Sequence, residues 1–117
     1  GAVLVVLKRL EDLEIIIEES LELADALGNP DFYFDTQILL TKILDLKAKK
    51  TEAGEVLVQL LEEYPEKQKQ AAAYFELCEL GNSKPETKEK VLKLYHELYA
   101  ATPKYIYAYR IMLLEGE

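Results

Sequence analysis

The segment ATPKYIYAYRIM, residues 101–112, decides between two folds. Tyr105, Tyr107 and Tyr109 alternate with Ile106, Ala108 and Arg110, a two-residue period that fits a β-strand. Thr102 and Pro103 stand just before them, where a helix would want its cap and first turn. A lone strand would leave its backbone hydrogen-bonding groups without a ladder, and no other segment reads as sheet. On a helix, Tyr105, Tyr109 and Met112 fall along one side and Ile106, Tyr109 and Leu113 along another. The expectation is a helix over residues 104–114.

Reading back from there, every other segment is helical too. Residues 85–100 place Val91, Leu92, Leu94, Tyr95, Leu98 and Tyr99 at helical spacing, with Ser83 as the expected cap and Pro85 and Glu86 in the first turn. Residues 66–80 carry Ala71, Tyr74, Phe75 and Cys78, with Leu77 beside them, and stop at Gly81. Residues 52–64 bury Ala53, Val56, Leu57, Leu60 and Leu61 behind Thr51 as N-cap, and Pro65 breaks the chain. Residues 31–48 keep one apolar line, Phe34, Ile38, Thr41 and Leu44. Residues 3–28 form a long helix with the stripe Leu10, Leu13, Ile17, Leu21 and Ala24, widened by Ile15 and Ile16 and closed by Gly28 and Pro30.

Composition agrees with an ordered all-α domain: 117 residues, 50% hydrophobic and 31% charged, with few glycines and prolines. One domain over residues 1–117 is expected. The net charge of −8 is uneven, with −5 in residues 1–30, −3 in residues 31–65 and zero in residues 66–117. No basic stripe could neutralise a row of phosphates or grip an anionic bilayer, so neither nucleic acid nor membrane is expected as a partner. The run AVLVVL at residues 2–7 is too short to span a bilayer and lacks a basic region before it. A single cysteine, Cys78, suits a reducing compartment and a cytoplasmic location. The chain begins with Gly1 and reads as a piece of a larger protein, Gly1 itself suggesting the remnant of a cleaved tag.

The helices repeat in pairs. Residues 31–65 and 66–103 each hold two helices and end in proline, with lengths of 35 and 38 residues. A two-helix unit at this period marks a helical solenoid, because one amphipathic hairpin cannot cover its own apolar face. With Pro65 at the closing proline, the pattern resembles the tetratricopeptide repeat. Leu40 then takes the large apolar site of the first helix, Ala53 the small site of the second, and Leu57 its aromatic or large apolar site. In the next unit Pro103 matches the same proline, Tyr95 and Leu98 approach it at comparable spacing, and GNSKP absorbs an insertion of about three residues. Thr41 and Phe75 stand where the family prefers glycine or alanine, and Leu60, Leu98 and Val91 replace alanines, so the helix crossing angles are expected to differ. The resemblance implies antiparallel hairpins stacked as a short right-handed solenoid.

Chemistry is hard to find in this chain. His96 is the only histidine, and neighbouring Glu97 points elsewhere on a helix. With one histidine and one cysteine, a His/Cys zinc site cannot be assembled. Cys78 reads as a small buried hydrophobe. The pairs Glu18-Glu19 and Glu62-Glu63 diverge around their helices, and no phosphate loop, dinucleotide fingerprint, zincin or nucleophile-elbow motif occurs. The expectation is a non-enzyme without cofactor or metal that binds a protein or peptide. The resemblance implies a concave surface lined by the first helix of each hairpin, here Asp35, Ile38, Lys42, Lys69, Ala72 and Glu76. The alternative is a structural segment of a larger regulatory protein, whose long apolar first helix and Tyr105, Tyr107 and Tyr109 serve packing within that protein or self-association, for example as a homodimer.

Overall fold

The computed structural model describes residues 2–81 and 84–116, and among these it contains six α-helices and no strand. They are α1 (Ala2–Leu27), α2 (Pro30–Leu46), α3 (Lys50–Glu63), α4 (Lys67–Glu79), α5 (Pro85–Ala101) and α6 (Tyr105–Glu115). The tyrosine-rich segment is thus helical. The most closely packed pairs are neighbours in sequence, α1 with α2, α4 with α5, and α5 with α6, in the manner of stacked helical repeats. The chain divides into two compact units, Gly1–Val56 and Leu57–Glu117.

Two helix ends in the first unit close in the same way. After α1, Gly28 N donates to Asp25 O at 3.1 Å and Asn29 N to Ala24 O at 3.0 Å, with Gly28 at φ +63°. This is the paired closure that a left-handed residue permits. Asn29 then caps the next helix, its Oδ1 accepting from Phe32 N at 3.1 Å, and Pro30 occupies the first turn. After α2, Ala48 N donates to Asp45 O and Lys49 N to Leu44 O. Here the left-handed residue is Ala48, at φ +61°, where glycine is usual. The next helix starts at once: Ala53 N donates to Lys49 O, which places Thr51 inside the first turn instead of at the expected cap. Ser83, the expected cap before α5, lies outside the described residues.

Within the first unit, Leu10 and Ile17 of α1 pack on Ile43 of α2, flanked by Leu21 and Leu40. Lys47 at the end of α2 reaches across to Glu14, its Nζ 3.1 Å from both carboxylate oxygens. Thr41 is buried where a smaller residue was expected, and its hydroxyl is satisfied by donating to Ile38 O at 2.6 Å. Leu13 leaves the expected buried stripe: α2 covers the line Leu10, Ile17 and Ala24, and Leu13 remains exposed beside it.

The second unit has the larger core. Ala71 and Phe75 of α4, Val91 and Tyr95 of α5, and Tyr107, Ile111 and Leu114 of α6 form one cluster. The buried face of α6 is neither of the two sides drawn from the sequence, because Tyr107 turns inward to lie 5.9 Å from the Tyr95 ring. Gln70 fastens the end of α3, its Nε2 donating to Leu61 O at 2.7 Å and also to Tyr64 O, so two carbonyls freed by Pro65 gain a partner.

Two measurements check this account. Tyr107→Ala should lower unfolding free energy by about 3–5 kcal/mol, whereas Tyr105→Ala, at a site 84% exposed, should change it by less than about 0.5 kcal/mol in urea titrations. Replacing Ala48 with glycine should add about 0.5–1 kcal/mol, the relieved left-handed strain outweighing the extra freedom of the unfolded chain. A lower denaturation midpoint for Ala48→Gly would contradict the strained turn.

Candidate protein-interaction surface

α1 is apolar on more of its circumference than α2 covers. At about 1.5 Å per residue its 26 residues extend about 39 Å, against about 26 Å for the 17 residues of α2. The first two turns of α1, residues 2–9, are exposed throughout although they include Val3, Leu4, Val5, Val6 and Leu7. Where the start of α1 passes the end of α2, a cavity of about 310 Å³ is lined by Ala2, Val3, Val6, Leu7, Leu10 and Leu46. Every lining residue is apolar. Such a slot suits one bulky side chain from a partner.

Further along, a second stripe runs beside the buried one. Leu10, Ile17 and Ala24 recur every seven residues and face inward. Val6, Leu13, Ser20 and Leu27 also recur every seven residues, as do Arg9, Ile16 and Leu23. Together these two lines make a seam about 70–80° around the helix from the buried line, given 3.6 residues per turn. Leu13, Ile16, Leu23 and Leu27 are all exposed, Leu27 by 68%. A helix apolar on several sides is ordinarily buried on several sides. The acids Asp12 and Glu19 are exposed along the edge of this seam away from α2.

The residues expected to line a concave surface fall in both units. On α2, Asp35 and Lys42 are exposed and Ile38 is half-buried, one turn apart along one face. On α4, Lys69 and Ala72 are half-buried, and Lys69 pairs with Glu66 at 3.3 Å. Glu76 is buried, so its carboxylate is not offered at the surface expected of it. Of the three tyrosines, Tyr105 and Tyr109 are exposed with Met112, while Tyr107 is committed to the core.

That core holds the one polar cluster of note. Arg110 donates to the Tyr95 hydroxyl at 2.7 Å, and its guanidinium lies 5.0 Å from the Phe75 ring centre and 5.7 Å from that of Tyr95. Phe75 meets Tyr95 edge to face at 6.3 Å. Burial raises the Tyr95 hydroxyl above its usual tyrosine value, Arg110 opposes this, and Glu76 adds to the rise. At the surface of the same unit Lys67 lies 2.8 Å from Glu97 and holds that carboxyl below its ordinary value. These contacts tie α4, α5 and α6 together through their side chains. His96 is exposed, Cys78 is half-buried against the core, and no group of His, Cys, Asp and Glu among the described residues could hold a metal. No described helix is long and apolar enough to cross a membrane.

Compared with known protein families, curated proteins and solved structures, the chain matches none.

The buried phenol carries a pH signature. Tyr95 keeps its proton longer when folded, so its contribution is fully present below about pH 10, the unfolded value, and is lost as pH rises through the raised folded value. Tyr95→Phe should therefore cost about 1.5–3 kcal/mol at pH 7 through the lost bond to Arg110. The gap between wild type and variant should narrow above pH 10. A gap that widens there in denaturant titrations would contradict the assigned direction.

Proposed function

We propose that this chain is a protein–protein interaction module whose principal contact surface is the exposed apolar seam of α1. The carrying observation is that seam itself: Leu13 and Leu27 on one line of a regular helix and Ile16 and Leu23 on the next, beside a stripe of the same period that is already packed. Exposed apolar surface organised this way is what a partner helix or groove covers, whereas scattered exposed leucines carry no such meaning. The packing of α4 on α5 supports reading residues 66–103 as a degenerate tetratricopeptide-type hairpin, and on that reading the helices belong to a right-handed solenoid. In that frame Asp35, Ile38 and Lys42 on α2 offer one further peptide-binding face, and Lys69 and Ala72 on α4 offer another. Lys42 and Lys69 would there meet acidic groups, and Ile38 and Ala72 would supply apolar area.

A second reading, self-association, is favoured by one observation. Tyr105, Tyr109 and Met112 leave an aromatic face of α6 exposed. Both readings describe a non-catalytic, cytoplasmic protein.

A photo-reactive phenylalanine analogue placed singly at Ile16, Leu23, Ile38, Ala72 and Tyr109 separates these surfaces in cells. Adducts concentrated at Ile16 and Leu23, and lost when the other seam residue becomes glutamate, are the expected result. Adducts from Ile38 and Ala72 alone would move the interface to the first helices of the hairpins. Light scattering across a wide concentration range complements this, with a mass near 13.4 kDa expected. A stable mass of twice that value, reverting to monomer in Tyr109→Ser, would establish self-association through α6 instead.

A further inference from the structure

Resting on the reading of the α1 seam as a contact surface, we infer that its occupant is an amphipathic helix with lysine or arginine along its flank, and not a second copy of this chain. The period chooses a helix. Residues recurring every seven positions in two interleaved lines keep facing a neighbour only if that neighbour is itself a helix running alongside. An extended peptide, with side chains alternating every second residue, would lose register within two turns.

Charge chooses the sign. In heptad terms Val6, Leu13, Ser20 and Leu27 share one core line of the seam, and Arg9, Ile16 and Leu23 share the other. The flanking position on the α2 side is held by Leu10, Ile17 and Ala24, which α2 has already covered. The flanking position on the open side is held by Val5, Asp12, Glu19 and Ala26, all exposed, and its two central members are acids. Flanking positions of this kind set partner choice in paired helices. α1 as a whole carries seven acids against two bases, Lys8 and Arg9, a net of −5. A basic flank on the incoming helix answers Asp12 and Glu19 directly.

The same geometry turns away a second copy. Antiparallel pairing of two α1 helices sets open flank against open flank, so Asp12 and Glu19 would face the same acids of the other chain. Parallel pairing would set Asp12 and Glu19 against Ile17 and Ala24, which are buried on α2. Arg9, near one end of the seam, breaks the apolar line once. It gives the incoming helix a direction by favouring an acid opposite it at that end and bases elsewhere.

The test uses the full chain and two synthetic helical peptides of four heptads. Both carry the same leucine and isoleucine seam. One has lysine at its flanking positions and the other glutamate. Fluorescence anisotropy at low salt should show the lysine peptide binding at least tenfold more tightly than the glutamate peptide, the ratio shrinking as salt is raised. Asp12→Lys with Glu19→Lys should reverse the preference. Ile16→Ser with Leu23→Ser should weaken both peptides at least tenfold while leaving the thermal transition by circular dichroism in place, since both sites are exposed.

Equal affinity for the two peptides, or a preference unmoved by the charge reversals, overturns the basic-helix assignment while α1 cross-links leave the contact surface standing. Dimerisation of the chain that Ile16→Ser abolishes overturns the exclusion of a second copy. Binding to phosphatidylcholine vesicles in preference to either peptide makes the seam a lipid surface and overturns the proposal. Absence of peptide binding together with absence of α1 cross-links removes the contact-surface reading itself.

Discussion

α1 is apolar on two sides, and α2 covers one of them. This mismatch organises the first unit. The packed line Leu10, Ile17 and Ala24 anchors α1 to α2, and Lys47 locks the pair through Glu14. The adjacent seam is made of residues just as apolar. Leu13, Ile16, Leu23 and Leu27 are each about half exposed or more, so covering all four would stabilise a contact by an amount on the order of a few kcal/mol before the entropy of association is subtracted. The overhanging first turns add further exposed apolar surface, and the hollow against Leu46 opens on the side of α1 that α2 covers further along.

The second unit shows what coverage looks like when it is achieved. Helices from three parts of the chain converge on Tyr95, whose ring contacts Phe75 and Tyr107 and whose hydroxyl accepts from Arg110. Arg110 is tolerable there because its guanidinium lies over aromatic faces and donates to a phenol, so charge is not left facing hydrocarbon alone. Gln70 does similar service for the backbone, capping carbonyls that Pro65 leaves without helical donors. Gln70, Arg110 and the Tyr95 hydroxyl thus support the packing of this unit. The second unit encloses its main apolar cluster, whereas α1 leaves a regular apolar seam in the open, and the proposed contact surface rests on that contrast.

The residues named from repeat logic fared according to local packing. Asp35, Ile38 and Lys42 keep one face of α2, since α2 turns its Ile43 side to α1. Glu76 was drawn inward beside Tyr95, and Tyr107 was recruited to the ring cluster. The seam itself was half legible: Ile15 and Ile16 announce a wide apolar face, but Leu13 was assigned to the buried side. A single helix offers several equally periodic stripes, and only a neighbour selects among them.

Local chemistry in the chain was sufficient for the helices and their breaks. Proline at residues 30, 65, 85 and 103 and glycine at 28 and 81 act on the backbone directly, through a missing donor or an accessible left-handed turn, so their effect needs no distant contact. The all-α character and the acidic bias of the first helix follow from the same one-dimensional information. Tertiary structure alone decided which face of each helix is inside, that Ala48 and not Thr51 shapes the second turn, that Arg110 pairs with Tyr95, and that α1 outruns α2. These depend on residues far apart in sequence meeting with matched length and rotation. Periodicity specifies that a helix has faces; only the neighbour that arrives determines which of them stays in water.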